Sequence, residues 1–146
     1  MILGFQTKFP WGTETNFKKK ILEKKKKHTI RIDQHQRWKK GNSIQFATGA
    51  RTKRYHQFEE GECKSTQKIV IEEVDYEKDG NYIYKINVRG AEFVKAFCVK
   101  VDDGLLDWKD IVTLAHNDGF ETTDDFFKWF IDGFSGKIIH WTDLKY

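Results

Sequence analysis

The sequence predicts an α+β fold, a mixed and partly closed β-barrel of about five to seven strands with about three flanking helices. Three observations predict it. Short runs in which apolar and polar residues alternate recur along most of the chain, the period of strands with one buried face. Two helical stretches with capping residues interrupt that pattern late, at 107–115 and 122–131. No internal repeat and no Pro/Ser/Gly-rich linker divides the 146 residues, so the helices must pack on the same sheet and residues 1–146 are expected to form one domain. Partial closure follows because many short strands otherwise leave exposed edges.

In chain order, Ile2-Leu3-Gly4-Phe5 is a short apolar first strand, and Pro10, the only proline, with Trp11 and Gly12 marks the loop after it. Thr15 or Asn16 caps a helix in which Phe17, Ile21 and Leu22 recur at helical spacing while Lys18, Lys19, Lys20 and Lys24 take the solvent side; it ends near the lysine run 24–27. Residues 28–33 alternate, with His28, Ile30 and Ile32 on a core face and Thr29, Arg31 and Asp33 on a polar one. A turn over 37–42 leads into a strand at 43–48, and Gly49 opens a basic stretch. Further strands are expected at 68–74, 82–88 and 93–101, with Asp79-Gly80-Asn81 as the turn between the first two. Asp107 caps a helix with Asp110 at the capping-box position and Ile111, Leu114 and Ala115 on one face. Thr122 or Thr123 caps 124–131, Gly119 separates the two helices, and 137–141 is the last strand.

Composition narrows the function. Aromatic residues make up 15% and charged residues 33% of the chain, a mix that belongs to a folded domain and not to a disordered one. No apolar run approaches the roughly 20 residues of a membrane-spanning helix, and the first residues lack a charged leader, so the expectation is a cytoplasmic protein without membrane contact. Cys63 and Cys98 are far apart with no CxxC pair, and are expected as reduced thiols with Cys98 in the core. The five histidines form no HxH or HxxxH pattern, so no metal is expected. Neither a phosphate loop nor G-x-G-x-x-G occurs, which disfavours ATP-driven and dinucleotide chemistry; no cofactor is expected, binding or hydrolysis remains, and nothing points to a protein partner. Residues 1–56 hold fifteen Lys or Arg against three acids, and the remainder eleven against nineteen. That division favours a polyanion such as RNA or a nucleotide-like ligand, the plain alternative being a basic segment folded against an acidic one.

Four stretches, in this order, resemble the ASCH family of PUA-like domains: Ile21-Leu22 running to His28-Thr29-Ile30-Arg31; Trp38-Lys39-Lys40-Gly41-Asn42-Ser43-Ile44; Asp118-Gly119-Phe120; and Phe126-Phe127-Lys128-Trp129-Phe130. The first is the most specific, a basic helix end leading straight into a Thr-Ile-Arg strand. The resemblance implies a PUA-like barrel in which the helix before that strand helps to form a cleft for RNA or a nucleoside. It implies two classes of function at once. Some members resemble amidohydrolases that remove an acyl group from N4-acylated cytidine, using a lysine and a threonine of the first motif and a carboxylate of the third; others bind or cleave RNA as a ribonuclease does. Carried over, Thr29 matches the threonine, Lys26 the lysine, and Asp118 stands where a glutamate is usual. Aspartate is one methylene shorter, about 1.5 Å of reach, and about 1 Å of misplacement can cost on the order of 100-fold in rate. On a continuous strand Lys27, not Lys26, shares the face of Thr29; the motif alignment favours Lys26, and Lys27 stays open as the alternative.

The chemistry these residues allow is metal-independent acyl transfer: a threonine hydroxyl needs a base, which a desolvated lysine supplies, and the oxyanion needs a donor. The bland alternatives are a solvated lysine and an ordinary β-branched strand residue. Arg31 either clamps a phosphate or pairs with Asp33 or another acid. Arg51, Lys53 and Arg54 with Tyr55 combine charge and a stacking surface, the pairing used for single-stranded RNA, against the alternative of a solvated loop. Of Trp11, Trp38 and Trp129, Trp38 is the candidate base platform, although core packing is the commoner use of such rings. His116, before Asp118, is either an acid-base helper or a helix-dipole partner.

Overall fold

Parallel strands need a long crossover, and here the chain between β1 (Ile2–Phe5) and its parallel partner β3 (Ser43–Thr48) carries a helix, α1 (Phe17–Leu22), and a strand, β2 (His28–Arg31). The structure, a computed structural model, describes residues 1–75, 84–88 and 93–146. After β3 come β4 (His56–Glu62), β5 (Ser65–Val74), β6 (Tyr84–Val88), β7 (Phe93–Val101) and β8 (Gly104–Leu105), then α2 (Trp108–Asn117), α3 (Thr123–Trp129) and β9 (Phe134–His140). The class is α+β, with nine strands and three helices among the described residues. One sheet runs β1-β3-β4; the other runs β2-β9-β5-β7-β6 with β8 on β7, all antiparallel. The two meet through aromatic rings, Trp141 standing edge-on to Phe46 at 4.9 Å and to Phe5 at 6.3 Å. Among the described residues the sheets do not join into one closed ring of paired strands.

The two strands beyond the expected seven are β4 and β8. Strand β4 reads His56-Gln57-Phe58-Glu59-Glu60-Gly61-Glu62 and is exposed along nearly its whole length, so a period-two apolar signal is absent; backbone pairing with β3 alone defines it. The expected Asp79-Gly80-Asn81 turn and the first two residues of the 82–88 strand lie outside the described residues.

The helix signals were more literal. Asp107 accepts from the Asp110 amide at 2.9 Å, and Thr122 accepts from the Asp125 amide at 3.1 Å, so both late helices start where their capping chemistry directs. At α1 the cap is displaced: Asn16 sits at the cap position with φ of 56° and no side-chain bond, while Thr15 accepts from the Phe17 amide at 3.3 Å and donates to the Gln6 carbonyl at 2.6 Å. Phe17 and Ile21 are buried, but Leu22 is 47% exposed because the helix stops there. Around them Phe9, Phe17, Phe120 and Trp129 form one aromatic cluster, with Trp11 stacked on Phe9 at 4.7 Å. Cys63 and Cys98 are buried, and neither is in a disulfide. No helix among the described residues is long and apolar enough to cross a membrane.

One face assignment needs correction. Strand β2 ends at Arg31, and Ile32 is 64% exposed instead of sharing the core with His28 and Ile30. Asp33 stops the strand: its carboxylate accepts from the Arg37 and Trp38 amides, at 2.9 and 3.1 Å, and from Lys137 at 3.1 Å. Thr29 is as buried as its neighbours, because β2 is covered on both faces.

Candidate functional site

The turn of four lysines that follows a short helix places one of them inside the molecule. After Leu22 the chain turns back on itself: Lys24 adopts φ of 62°, the Lys25 and Lys26 amides both bond to the Lys20 carbonyl, at 2.8 and 3.0 Å, and the Lys27 amide bonds to the Asn117 carbonyl at 2.7 Å. Strand β2 begins only at His28, so the continuous-strand argument for Lys27 does not apply; Lys26 is the lysine that turns inward, at 2% exposure. Its ammonium donates to both the main-chain oxygen and Oδ1 of Asp118, the latter at 2.9 Å, and lies 4.6 Å from the centre of the Phe17 ring.

Asp118 ends α2, ninety-two residues along the chain from Lys26, and is 3% exposed. The next residue has to be glycine: Gly119 has φ of +96°, and a Cβ there would come within 3.0 Å of both Lys26 Cδ and the Phe17 ring. Lys20 holds this turn from outside, donating to the Gly119 carbonyl at 2.6 Å and pairing with Glu121 at 2.8 Å. Burial lowers the Lys26 pKa to about 8, with Asp118 working against the shift and the Arg31 and Lys20 charges adding to it. Burial alone would raise the Asp118 carboxyl, but Lys26 and then His28 outweigh it and hold it below the ordinary aspartate range.

Thr29 and Arg31 project from β2 beside this pair. Arg31 Nε donates to Thr29 Oγ1 at 3.2 Å, an Nη2 hydrogen goes to the Gly4 carbonyl at 2.6 Å, and the guanidinium lies 5.1 Å from the Phe5 ring. Because a guanidinium only donates, the threonine oxygen accepts in that bond and keeps its own proton to give to a ligand or base. Arg31 does not pair with Asp33, whose carboxylate is taken up by Lys137 and the turn amides.

A second row of polar groups lies behind Asp118. Asn117 Nδ2 donates to the Tyr146 hydroxyl at 3.1 Å, and that hydroxyl shares a hydrogen bond with His28 Nε2, 2.6 Å away. Burial keeps His28 neutral by lowering its pKa and pushes the Tyr146 phenol up. The other ring nitrogen, Nδ1, faces Asp118 Oδ1 at 3.5 Å, at the limit of reach and outside hydrogen-bond geometry. Sequence reasoning put His28 on the core face, where it is, but missed Tyr146 and Asn117. A histidine at a core position of a strand demands a polar partner, and that demand was the available signal.

Lys26, Thr29, Arg31 and Asp118 line one cavity of about 270 Å³, walled by Phe5, Phe17 and Phe120. It shares Gly4, Phe5, Gln6 and Arg31 with a larger open groove of about 1020 Å³ that holds Arg37, Trp38 and Arg51. Trp38 is 7% exposed, a core ring with one edge on the groove and not a free stacking platform. Lys53, Arg54 and Tyr55 are exposed on the loop after Arg51 and line neither cavity. Lys27 borders a third cavity with Lys24, Glu59 and Trp141, and His116 is exposed on α2. No group of three or more metal-ligating side chains occurs among the described residues. No protein-family model, no curated protein and no solved structure matches the chain.

Proposed function

We propose that the chain is an ASCH-type, PUA-like domain that binds RNA or a nucleoside-like ligand in the cleft formed by the inner cavity and its basic mouth. The observation that carries the reading is convergence: a lysine from a helix end, a threonine and an arginine from β2 and a carboxylate from the end of α2 line one aromatic-walled cavity. Flat rings and a few placed polar groups are what a nucleobase needs, apolar faces above and below and hydrogen bonds at its edge. The partly closed barrel belongs to the same proposal.

A second reading, an amidohydrolase acting on N4-acylated cytidine, is favoured by the free proton of Thr29 and the lowered pKa of Lys26. In that reaction Thr29 Oγ bonds to the acyl carbon while its proton passes to neutral Lys26, and Arg31 or Lys26 donates to the oxyanion. The carbon–nitrogen bond then breaks, the released amine takes the proton from Lys26, and water hydrolyses the acyl-threonine to a carboxylic acid and free Thr29. Asp118 is already engaged with Lys26, so its role here is to hold the lysine, and its shorter reach is met by the close approach at Gly119.

The test is calorimetric titration with cytidine and N4-acetylcytidine, together with an assay for acetate release. Binding of both, weakened at least about tenfold by Thr29→Val, supports the site; acetate release lost in Thr29→Val and Lys26→Met adds hydrolysis. Binding unchanged by Thr29→Val rejects the inner cavity as the site.

A further inference from the structure

The outer groove differs from three other cavities, each of which has an Asp or Glu in its wall. Lys8, Arg31, Arg37 and Arg51 line it, and no Asp or Glu does. Lys8, Arg37 and Arg51 make no ion pair among the described residues, whereas Lys20, Lys64, Lys68, Lys95, Lys100 and Lys137 each have a carboxylate within reach. The third cavity, also lysine-bordered, carries Glu59, Glu60 and Asp143 among its walls, which cancels its charge. Cations left unpaired around one concave surface focus a positive field there.

Arg31 stands where the groove meets the inner cavity and lines both. Its bonds to Thr29 and to the Gly4 carbonyl fix the fork and use two of its five N–H groups. The other donors are unspent among the described residues, on a guanidinium that is already immobilised, so a phosphate arriving there meets donors whose ordering has been completed by folding. A nucleotide offers both parts in that order, a phosphate for the fork and a flat base for the cavity next door.

We propose that the outer groove is a phosphodiester track and that the inner cavity therefore takes a base carried on an RNA strand, in preference to the free nucleoside. The inference rests on the nucleoside reading of the inner cavity. Arg31 receives the phosphate next to the bound base, and Arg51, Arg37 and Lys8 receive the phosphates beyond it.

The experiment compares cytidine, cytidine 5′-monophosphate and a six-residue oligocytidylate, each titrated over a series of salt concentrations into the parent, the triple variant Lys8→Gln/Arg37→Gln/Arg51→Gln, and Arg31→Lys. All three groups of the triple variant are exposed, so its unfolding midpoint is expected to stay close to that of the parent. For the parent the strand binds at least about tenfold tighter than cytidine at low salt. In the triple variant that ratio falls towards one, and the slope of log affinity against log salt drops by about 2, at roughly 0.7 per lost phosphate contact. Arg31→Lys keeps the charge and loses the fork, so the monophosphate loses its advantage over cytidine. Cytidine binding as tightly as the strand, or a triple variant that keeps the ratio and the slope, overturns the track alone. A strand that binds while cytidine neither binds nor competes overturns the nucleoside reading, and this inference with it.

Discussion

Two cationic regions of this chain look alike in sequence and behave as opposites in the structure. The lysine run 24–27 and the basic loop 49–55 are both short, polar and rich in charge. In the first, Lys26 is folded under the turn and sealed against Asp118, with an aromatic face beside its ammonium. In the second, Arg51, Lys53 and Arg54 stay in solvent, on a loop held by Thr52, which donates to the Gly49 carbonyl at 2.7 Å and accepts from the Arg54 amide at 3.1 Å. The difference lies in what arrives from elsewhere in the chain: α2 delivers a carboxylate and a glycine onto the first region, and no acid reaches the groove beside the second. A buried charge depends on its built partner; exposed charges contribute a field.

The comparison breaks most sharply under single substitutions. Asp118→Ala leaves the Lys26 ammonium buried without its partner, an expected loss of about 3–5 kcal/mol in urea unfolding, whereas Lys53→Ala and Arg54→Ala leave the unfolding midpoint within error. Replacing both members, Lys26→Met with Asp118→Leu, restores much of the loss, since burial without charge needs no partner. Equal losses from Asp118→Ala and Lys53→Ala remove the distinction between the two regions.

A pH series sharpens the same contrast. Lys26 holds its proton less tightly folded than unfolded, about 8 against an ordinary 10.5, so the unfolded chain binds more protons between those values. Unfolding free energy therefore gains a rising contribution from about pH 8 to 10.5, seen as the difference between the parent and Lys26→Met. Asp118 acts in the opposite window: its depressed carboxyl stabilises the fold above the ordinary aspartate range, and that contribution fades as pH falls through its folded value. If the amidohydrolase reading holds, acetate release rises with pH around a midpoint near 8. A smaller loss than at Asp118 is expected at Tyr146→Phe, which strips partners from His28 Nε2 and Asn117 Nδ2 and costs about 1–3 kcal/mol; a neutral result there means the second polar row is not coupled to the site.

Much of this was legible from residue order. Both late helices begin at the caps their sequences encode, and β1, β3 and β7 occupy the stretches expected as strands. The inward lysine was left open between Lys26 and Lys27 because the answer depends on where β2 starts, and a hydrogen bond from Lys27 to Asn117 decides that from a distant part of the chain. Strand β4 was not legible, since an exposed edge strand made of His, Gln and Glu has no apolar period to read. Nor was the role of Trp38: an aromatic in a basic stretch looks the same whether it faces a ligand or the core, and Asp33 binding its amide sets which.

The central claim is that Lys26, Thr29, Arg31 and Asp118 form a ligand-binding pocket and not just a buried structural pair. The most direct measurement follows side-chain NMR signals of Lys26, Thr29 and Arg31 while cytidine is added. A saturable shift of all three with one dissociation constant, together with a displaced Lys26 titration midpoint, is the predicted result. Cytidine that leaves these signals unmoved while shifting residues elsewhere, or that shifts none, contradicts the account.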